Sequence, residues 1–343
     1  MPADRPARLR REPSTAPLLT GAEIAATADT IAAQQQADGL VLWYPGGHAD
    51  TWNHVESAMA LDVAGRRREA EAAYHWLADH QHPDGWWYHY YLADGIEDAK
   101  VDTNCCAYVA TGVLHHWLVT GDGGFLEEMW PIVERAIEFV LSLQTSRGEI
   151  IWARHEDGTL WSYALLTGSS SIYHSIGCAV ELADVLGHEQ PDWELAAVQL
   201  REVIAGQPDA FEPKHRWAMD WYYPVLAGAV SGGAAVERLD EGRYRFVTPD
   251  GVRCVSDRDW ITAAETCECA MAYLNIGEEA EARALFDSIA HLRDDDGAYF
   301  TGIAYPDGVH FPADERTTYT AAAAILCADA LDRLTPAAGL FTG

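Results

Sequence analysis

The sequence predicts an all-α protein, an (α/α)6 toroid of helical hairpins with a small β-hairpin inserted near residues 237–257. Three observations support this fold class: helical spacing of apolar residues, glycine stop signals, and a short motif that recurs where predicted helices end. Apolar residues at i, i+3 and i+4 form one face of a helix. This spacing occurs in segments 24–36, 52–64, 69–80, 104–119, 125–143, 170–186, 193–204, 263–274, 278–292 and 317–334.

Start and stop signals mark the ends of several of these helices. Thr20 and Glu23 have the spacing of a capping box, in which two side chains satisfy free backbone N–H groups of the first turn. A glycine after an apolar run supplies the left-handed residue with which many helices end. Glycines in this position are Gly65, Gly121, Gly187 and Gly277.

Residues 237–257 are the stretch that predicts strands. Apolar and polar residues alternate there, and Pro249, Asp250 and Gly251 form a turn signal. We therefore expect a β-hairpin within an otherwise helical chain.

A Gln-x-x-x-Gly motif recurs at the ends of predicted helices. Copies begin at Gln35, Gln81 and Gln144, a variant begins at Arg293, and a degenerate copy begins at Gln207. Each copy is followed by an aromatic residue, so the expected unit is helix, glycine turn, aromatic loop, helix. Five or six units give ten to twelve helices, and stacked hairpins can close into a toroid with a funnel lined by these loops.

The charge of the chain excludes some classes of partner. The 343 residues include 53 Asp and Glu against 23 Lys and Arg, which gives a formal net charge of −30. Nucleic acids and anionic membranes are bound through clustered Lys and Arg, so neither is an expected partner. A neutral carbohydrate or another small-molecule substrate fits better, and the sequence leaves the oligomeric state open.

The domain organisation follows from the same features. We expect a flexible tail at residues 1–20, a single toroid domain at 21–335 and a C-terminal tail at 336–343. The chain shows no apolar run typical of a secretory signal or a membrane span, which predicts a cytoplasmic protein. Its 7 Cys form no C-x-x-C pair, and no H-x-x-x-H or H-E-x-x-H pattern occurs, so we predict buried thiols, no metal and no cofactor.

Two families resemble this chain over most of residues 20–335. The segment from Gln81 to Trp87 matches the Q-x-x-x-G-x-W repeat of squalene cyclases and resembles the prenyltransferase toroids. The whole-chain pattern, with Trp, Asp and Glu in the glycine loops, resembles the six-hairpin glycosidases of the glucoamylase-like kind. The acidic Asp-x-Asp-Asp motif of the cyclases has no match in this chain, so the glycosidase resemblance is the stronger guide to chemistry.

Glycosidic cleavage needs two carboxyls, one as general acid and one as base or nucleophile. Four acidic residues beside aromatic or small residues are candidates: Asp102, Asp220, Glu265 and Glu315. Helix capping is the structural alternative for Asp102 and Asp220, an exposed edge for Glu265, and a favourable first-turn charge for Glu315. The glucoamylase-like resemblance implies a base before the last helix, which is where Glu315 lies.

Aromatic side chains of the loops are the expected substrate platforms, because flat ring faces can stack on sugars. The predicted substrate-binding residues are Trp43, Trp86, Trp87, Trp152, Trp217, Trp221, Tyr222, Tyr223, His174 and Tyr299.

These features together predict an inverting, exo-acting hydrolase of a neutral α-linked glucoside or short oligosaccharide. Three alternatives remain open from the sequence. They are a terpenoid cyclase or prenyltransferase-like protein, a sugar epimerase with His174 or His89 as acid and base, and a carbohydrate-binding toroid.

Overall fold

The computed structural model describes residues 16–342. Its α-helices in chain order are α1 (Gly21–Ala32), α2 (Thr51–Val63), α3 (Arg67–His80), α4 (Thr103–Ala107), α5 (Val109–Thr120), α6 (Gly123–Leu141), α7 (Leu166–Leu186), α8 (Pro191–Gly206), α9 (Met219–Leu226), α10 (Gly232–Phe246), α11 (Ala263–Asn275), α12 (Glu279–Ser288) and α13 (Thr318–Asp332). The strands are β1 (Tyr90–Leu92), β2 (Gly95–Asp98), β3 (Val101–Asp102), β4 (Ala153–Arg154), β5 (Val247–Thr248), β6 (Gly251–Arg253), β7 (Trp260–Thr262), β8 (Gly302–Ala304) and β9 (Val309–His310).

The helices form two concentric rings. The inner ring consists of α2, then α4 with α5, then α7, α9, α11 and α13, and α13 packs back against α2 to close it. The outer helices α1, α3, α6, α8, α10 and α12 alternate with the inner ones along the chain and pack on them from outside. The predicted (α/α)6 toroid is confirmed.

Small residues allow the inner helices to be enclosed on all sides. The segment Ala321–Ala324 of α13 is buried, and the same helix carries buried Cys327 and Ala328. A helix that is apolar or small on every face suits a position between two rings of neighbours. The helical spacing in the sequence therefore predicts the helices, and their composition distinguishes inner from outer ones.

The glutamines of the repeated motif join successive outer helices. The Nε2 of Gln35 donates to Gly39 O at 3.1 Å within its own turn and to Glu69 O of α3 at 2.8 Å. Gln81 makes the same pair of bonds to Gly85 O and to Ile132 O of α6, at 3.2 and 2.9 Å. One amide thus satisfies two carbonyl oxygens and fixes each turn to the next outer helix.

Gln144 repeats this arrangement with Gly148 O and with Ala196 O of α8, at 2.9 and 3.0 Å. The variant copy closes the ring, because Arg293 Nη2 donates to Glu23 O of α1 at 3.3 Å. The degenerate copy at Gln207 differs, since its Oε1 accepts from Arg147 Nε at 2.8 Å.

The glycines of the motif are required for two reasons. Gly39 and Gly85 have φ of 104° and 93°, in the region that favours glycine. A Cβ on Gly39 would lie 2.2 Å from Ala72 O of α3, and one on Gly85 would lie 2.0 Å from Arg135 O of α6. The turn can approach the next helix this closely only without a side chain.

The predicted β-hairpin is present but shorter than expected. Strands β5 and β6 pair around the turn at Pro249 and Asp250, whereas residues 237–246 belong to helix α10. The sequence does carry a signal for this helix, because its buried residues have helical spacing: Ala235, Leu239, Gly242 and Phe246. The alternation of apolar and polar residues in the same stretch hid that spacing. The hairpin extends through β7, β8 and β9 into a five-stranded antiparallel sheet, in which Ile261 pairs with Ile303.

Helix α9 was also absent from the sequence prediction. It is only eight residues long and contains Pro224, so its apolar spacing is too short to distinguish from a loop.

The chain ends were predicted as tails. Residues 1–15 lie outside the described part of the chain. The segment after α13 returns to the barrel, where Ala337 is buried and Leu340 O accepts a hydrogen bond from His174 Nε2 at 2.9 Å. Across residues 16–342, none of the helices has the length and apolar character needed to cross a bilayer. The domain boundaries stay a prediction.

Substitution Gly85→Ala tests the role of the turn. We expect it to destabilise the fold by about 2–4 kcal/mol, because the new Cβ meets a carbonyl oxygen and the backbone is left-handed. Urea unfolding followed by circular dichroism measures the change. Gly177→Ala is the control, because the exposed Gly177 of α7 has no atom within 4 Å of its Cβ position. Equal midpoints for the two variants would contradict this role.

Candidate active site

The N-terminal ends of the inner helices surround a funnel. The chain reaches each of these ends through the loop that follows an outer helix, so the loops lie at one end of the barrel. Acidic residues begin four of the inner helices: Asp50 caps α2, Asp102 caps α4, and Asp220 and Glu265 lie in the first turns of α9 and α11. Free N–H groups and the helix dipole favour acids at these positions.

A cavity of about 440 Å³ occupies the funnel. Three carboxylates, those of Asp50, Asp102 and Asp220, lie on its wall. Aromatic rings cover much of the remaining wall: Trp43, Trp52, Tyr90, Trp152, Tyr163 and Trp217. Carboxyl groups among flat apolar walls can cleave and hold a sugar chain.

Asp102 is held by three donors. Its Oδ1 accepts from the backbone N–H groups of Asn104 and Cys105 at 3.0 and 3.3 Å, and its Oδ2 accepts from Trp152 Nε1. The predicted capping role is therefore real, and the same carboxylate also lies on the funnel wall. Both of its oxygens are in use, which leaves Asp102 better suited to orienting Trp152 than to moving a proton.

Asp50, which the sequence analysis did not select, occupies the equivalent position on α2. Its Oδ1 accepts from Asn53 N at 2.9 Å, and its Oδ2 accepts from Asn53 Nδ2 at 2.6 Å and from Trp43 Nε1 at 3.1 Å. Burial raises the pKa of Asp50, and these hydrogen bonds oppose the rise. Asp50 could have been selected from the sequence, because it is an Asp that directly precedes a predicted helix in the first repeat.

The carboxyl group of Asp220 accepts fewer hydrogen bonds than those of Asp50 and Asp102. Thr167 Oγ1 donates to its Oδ1 at 2.9 Å, and the described hydrogen bonds include none to its Oδ2. Burial raises the pKa of Asp220, while Thr167 and the charge of His215 act in the opposite direction. Since α9 lies opposite α2 in the inner ring, Asp220 faces the side of the funnel that carries Asp50.

Glu265 lies one helix further round the ring. It is partly exposed, whereas Cys267, Glu268 and Cys269 on the same helix are buried. Burial raises the pKa of the Cys254 thiol and of Tyr319, and the charge of Glu265 raises both further. Glu265 therefore lies near Cys254 and near Tyr319 of α13, and it is not among the residues that line the 440 Å³ cavity.

Glu315 is placed differently from the prediction. It lies in a separate cavity of about 520 Å³ with Thr30, Gln34 and Tyr44, and Thr301 Oγ1 donates to it at 3.2 Å. Burial raises the pKa of Glu315. Glu315 thus lies before the last helix, as expected, but it lines a different cavity from Asp102 and Asp220.

Whether a residue that follows the motif lies in the core or on the funnel wall depends on how many positions separate it from the start of the motif. The residue six positions after its first residue is buried in the three Gln copies and in the Arg293 variant, as Val41, Trp87, Ile150 and Tyr299. The residue eight positions after it lines the funnel in three copies, as Trp43, His89 and Trp152. Among the predicted platforms only Trp43, Trp152 and Trp217 lie on this wall.

The other predicted platforms are packed inside the protein. Trp87 is 1% exposed and its Nε1 donates to Leu77 O, while Trp221 Nε1 donates to Arg238 O. The same correction applies to the buried rings of Trp86, Tyr222, Tyr223 and Tyr299. His174 lies against the C-terminal segment, where it stacks on Phe341. Aromatic residues near a glycine turn serve the core as often as the funnel.

Two buried carboxyl groups lie below the funnel on the barrel axis. Trp52 Nε1 and Tyr108 OH donate to Oε1 of Glu56 at 3.1 and 3.3 Å, and Tyr222 OH donates to Glu268. Burial raises the pKa of Glu56 to about 8, and it also raises the pKa of Glu268 well above its ordinary value. The charge of Asp50 raises the pKa of Glu56 further, and the charge of Glu56 does the same to Glu268, so the protonated forms of both carboxyls are favoured at neutral pH.

One group of potential metal ligands occurs within residues 16–342. Donor atoms of His89, Asp102 and Cys105 lie within 4.8 Å of one another. The set fits a metal ion poorly, because three donors already occupy Asp102 and burial raises the pKa of the Cys105 thiol well above its ordinary value. A thiol must lose its proton to bind a metal.

The two rings of helices and the acid-lined funnel define a six-hairpin toroid. Solved structures with this fold include a wild-type glycosidase, with a TM-score of 0.71 and 13% identity over 92% of this chain and 98% of that one. A sugar epimerase from a ruminal bacterium has a TM-score of 0.69, 12% identity and coverage of 92% and 99%. A D-mannose isomerase has a TM-score of 0.69, 12% identity and coverage of 90% and 96%.

The sequence itself gives the family. No family model matches the chain. It is 51% identical over 332 residues to an MMP endo-(1,4)-3-O-methyl-alpha-D-mannosidase from Mycolicibacterium hassiacum, and this alignment covers 96% of the chain and 92% of the relative. The chain belongs to the family of that enzyme and is a glycoside hydrolase. The predicted glycosidase resemblance is confirmed.

The axial pair predicts a pH dependence of stability. Folded Glu56 keeps its proton up to about pH 8, whereas the unfolded chain loses it near the ordinary value of 4.5. The free energy of unfolding therefore falls as pH rises through this window. We expect Glu56→Gln to reduce that fall, and to be more stable than wild type at pH 9 by about 1–3 kcal/mol. Thermal unfolding from pH 5 to pH 9 measures this.

The exposed Glu127 on α6 provides the control. Glu127→Gln should follow the wild-type pH profile. A Glu56→Gln profile parallel to that of wild type would show that Glu56 does not hold a proton in the folded state.

Proposed function

We propose that the chain is an endo-acting hydrolase of α-(1→4)-linked 3-O-methyl-mannosides. The observation that carries this proposal is the open, aromatic-lined funnel that brings Asp50, Asp102 and Asp220 to one wall. The substrate class follows that of the 51% identical relative. An α-glucoside and exo action were the expectations from sequence, and the relative favours a mannoside and endo action instead.

The funnel suits a methylated sugar for physical reasons. A methyl ether removes a hydroxyl donor and adds an apolar group, which gains free energy by contact with an aromatic ring. Trp43 and Tyr90 lie edge to face with centroids 5.8 Å apart, and Trp152 stacks with Tyr163 at 5.5 Å. The neutral substrate also avoids repulsion from a chain of net charge −30.

Asp220 is the proposed general acid. An acid must carry its proton on an oxygen that the protein does not already use, and Asp220 Oδ2 meets this requirement. The pKa of Asp220 is raised by burial, which favours the protonated form.

Glu265 is the proposed general base. A base that activates water must be reached by water, and Glu265 is the partly exposed carboxyl at the funnel end of α11. Asp220 is bonded towards α7 through Thr167, whereas Glu265 lies towards Tyr319 of α13. Inversion requires room for a water molecule between the two carboxyl groups, and in this proposal the space between the first turns of α9 and α11 provides it.

Asp50 and Asp102 support the reaction from the opposite side. Each is fixed by an aromatic N–H, from Trp43 and Trp152 respectively, so each carboxylate orients a ring of the sugar platform. Their negative charges also stabilise an oxocarbenium-like transition state. In the proposed reaction, Asp220 protonates the glycosidic oxygen, the bond to the anomeric carbon breaks, and water deprotonated by Glu265 adds to that carbon.

Carboxyl substitutions test these roles. Asp220→Asn and Glu265→Gln should each lower kcat by about 10³-fold or more with little change in KM, because each group acts mainly in the transition state. The assay measures release of reducing ends from a 3-O-methyl-mannose oligosaccharide, and NMR of the first product gives its anomer. Inversion gives the β-anomer from the α-linked substrate.

Glu315→Gln is the matched control and should keep activity, since Glu315 lies in the separate cavity. Asp50→Asn serves as a third arm. Azide can replace the water that a missing base would activate. If azide restores the activity of the Asp50→Asn variant, with a glycosyl azide as product, and has no effect on the Glu265→Gln variant, then Asp50 and not Glu265 is the general base. Full activity of Asp220→Asn would refute the assignment of the acid.

A further inference from the structure

A shallow groove continues the funnel across the outside of the five-stranded sheet. The groove has a volume of about 380 Å³, and Trp217 lines both it and the funnel. Beyond Trp217 its walls carry Trp260, Tyr305 and Phe311. The two cavities therefore meet at one aromatic side chain, and a chain-like ligand can run from one into the other.

The aromatic walls are built into the sheet. Trp260 on β7 pairs with Ala304 on β8, and its Nε1 donates to Phe311 O at 3.3 Å. The rings of Trp260 and Phe311 lie edge to face with centroids 5.2 Å apart. Phe311 is nonetheless 49% exposed, so the platform is ordered by its neighbours and still open to solvent.

Trp217 is fixed in a similar way. It pairs with Val255, and Ser256 N donates to Arg216 O at 2.8 Å on one side of it. The ring is 42% exposed although the backbone is tied on both sides. Contiguous exposed aromatic surface is uncommon in soluble proteins and marks binding sites.

Charged pairs provide hydrogen-bonding groups along the groove. Arg216 Nε contacts Asp257 Oδ1 at 2.7 Å, and Arg253 Nε contacts Asp259 Oδ1 at 2.8 Å. These pairs present both donors and acceptors beside the rings, and Arg258 on the groove wall adds a further donor. Hydroxyl groups at the edge of a sugar ring need this combination, and the rings suit its apolar face.

We propose that this groove binds further sugar units of a substrate chain whose scissile bond lies in the funnel. The inference rests on the proposed function, because an endo-acting enzyme must hold the chain beyond the bond that it cleaves. The occupant is a neutral α-(1→4)-linked 3-O-methyl-mannose oligosaccharide, and Trp217 is the platform shared by the two cavities.

Two oligosaccharides of this type test the groove, a short one that the funnel alone accommodates and a long one that extends past Trp217. Phe311→Ala and Trp260→Ala should each lower kcat/KM for the long substrate about tenfold and leave that for the short one unchanged, since a buried aromatic contact carries about this much binding energy. Tyr244→Ala, which removes a 72% exposed ring from α10, is the control for loss of a surface aromatic.

Several outcomes would overturn the proposal. Equal losses on both substrates would show a general structural effect, and no loss on either would show that the groove is not used. A change in oligomeric state on Phe311→Ala, measured by light scattering, would make the groove an interface between copies of the chain.

Failure of the proposed function is distinguishable from failure of the groove. If wild type cleaves neither oligosaccharide, the proposed function fails, and calorimetric titration of wild type with the long oligosaccharide decides the groove by itself. Binding that weakens about tenfold in Phe311→Ala supports the groove, and absence of binding to wild type overturns it.

Discussion

The hydrogen bonds of the motif glutamines are the constraint on which the rest of the structure depends. Gln35, Gln81 and Gln144 each join the glycine of their own turn to a carbonyl oxygen of the next outer helix. Because the turn then leads directly into a funnel loop, this bond determines where each loop begins. Arg293 makes the corresponding link back to α1. The ring therefore closes through the same device that positions the active-site loops.

Helix capping places acidic residues in this funnel. Inner helices need acceptors for their first N–H groups, and Asp50 and Asp102 supply them. All the inner helices begin at one end of the barrel, so their caps converge on one cavity. A structural requirement thus concentrates carboxylates where a glycosidase needs them. Part of the excess of acidic residues in the chain therefore lies on the wall of the funnel, as Asp50, Asp102 and Asp220.

The barrel axis adds a second requirement below the funnel. Trp52 lines the funnel from above and donates to Glu56 beneath it, so the floor and the buried carboxyl are linked. Removing two carboxyls from water without a basic partner favours their protonated forms, in which they accept and donate hydrogen bonds as neutral groups. The floor of the funnel is therefore less stable at strongly alkaline pH, where these carboxyls lose their protons.

Local patterns in the sequence were sufficient for most of the helices, for the capping box at Thr20 and for the glycine turns, because each depends on residues within a few turns of one another. The exceptions are α9 and α10, and it was the repetition of the motif along the chain that predicted the toroid. The hairpin at Val247–Arg253 was also predicted, although helical spacing in 237–246 was mistaken for alternation. Asp102 and Asp220 were selected and line the funnel, Asp50 lines it but was not selected, and Glu315 was selected but lines a different cavity. Trp87, six positions after the start of its motif copy, lies in the core, whereas Trp152, eight positions after the start of its copy, lies on the funnel wall. The sequence alone does not tell which of these two positions faces the funnel. Only the tertiary structure decides this, because the direction of a loop side chain depends on which distant helix packs against its turn.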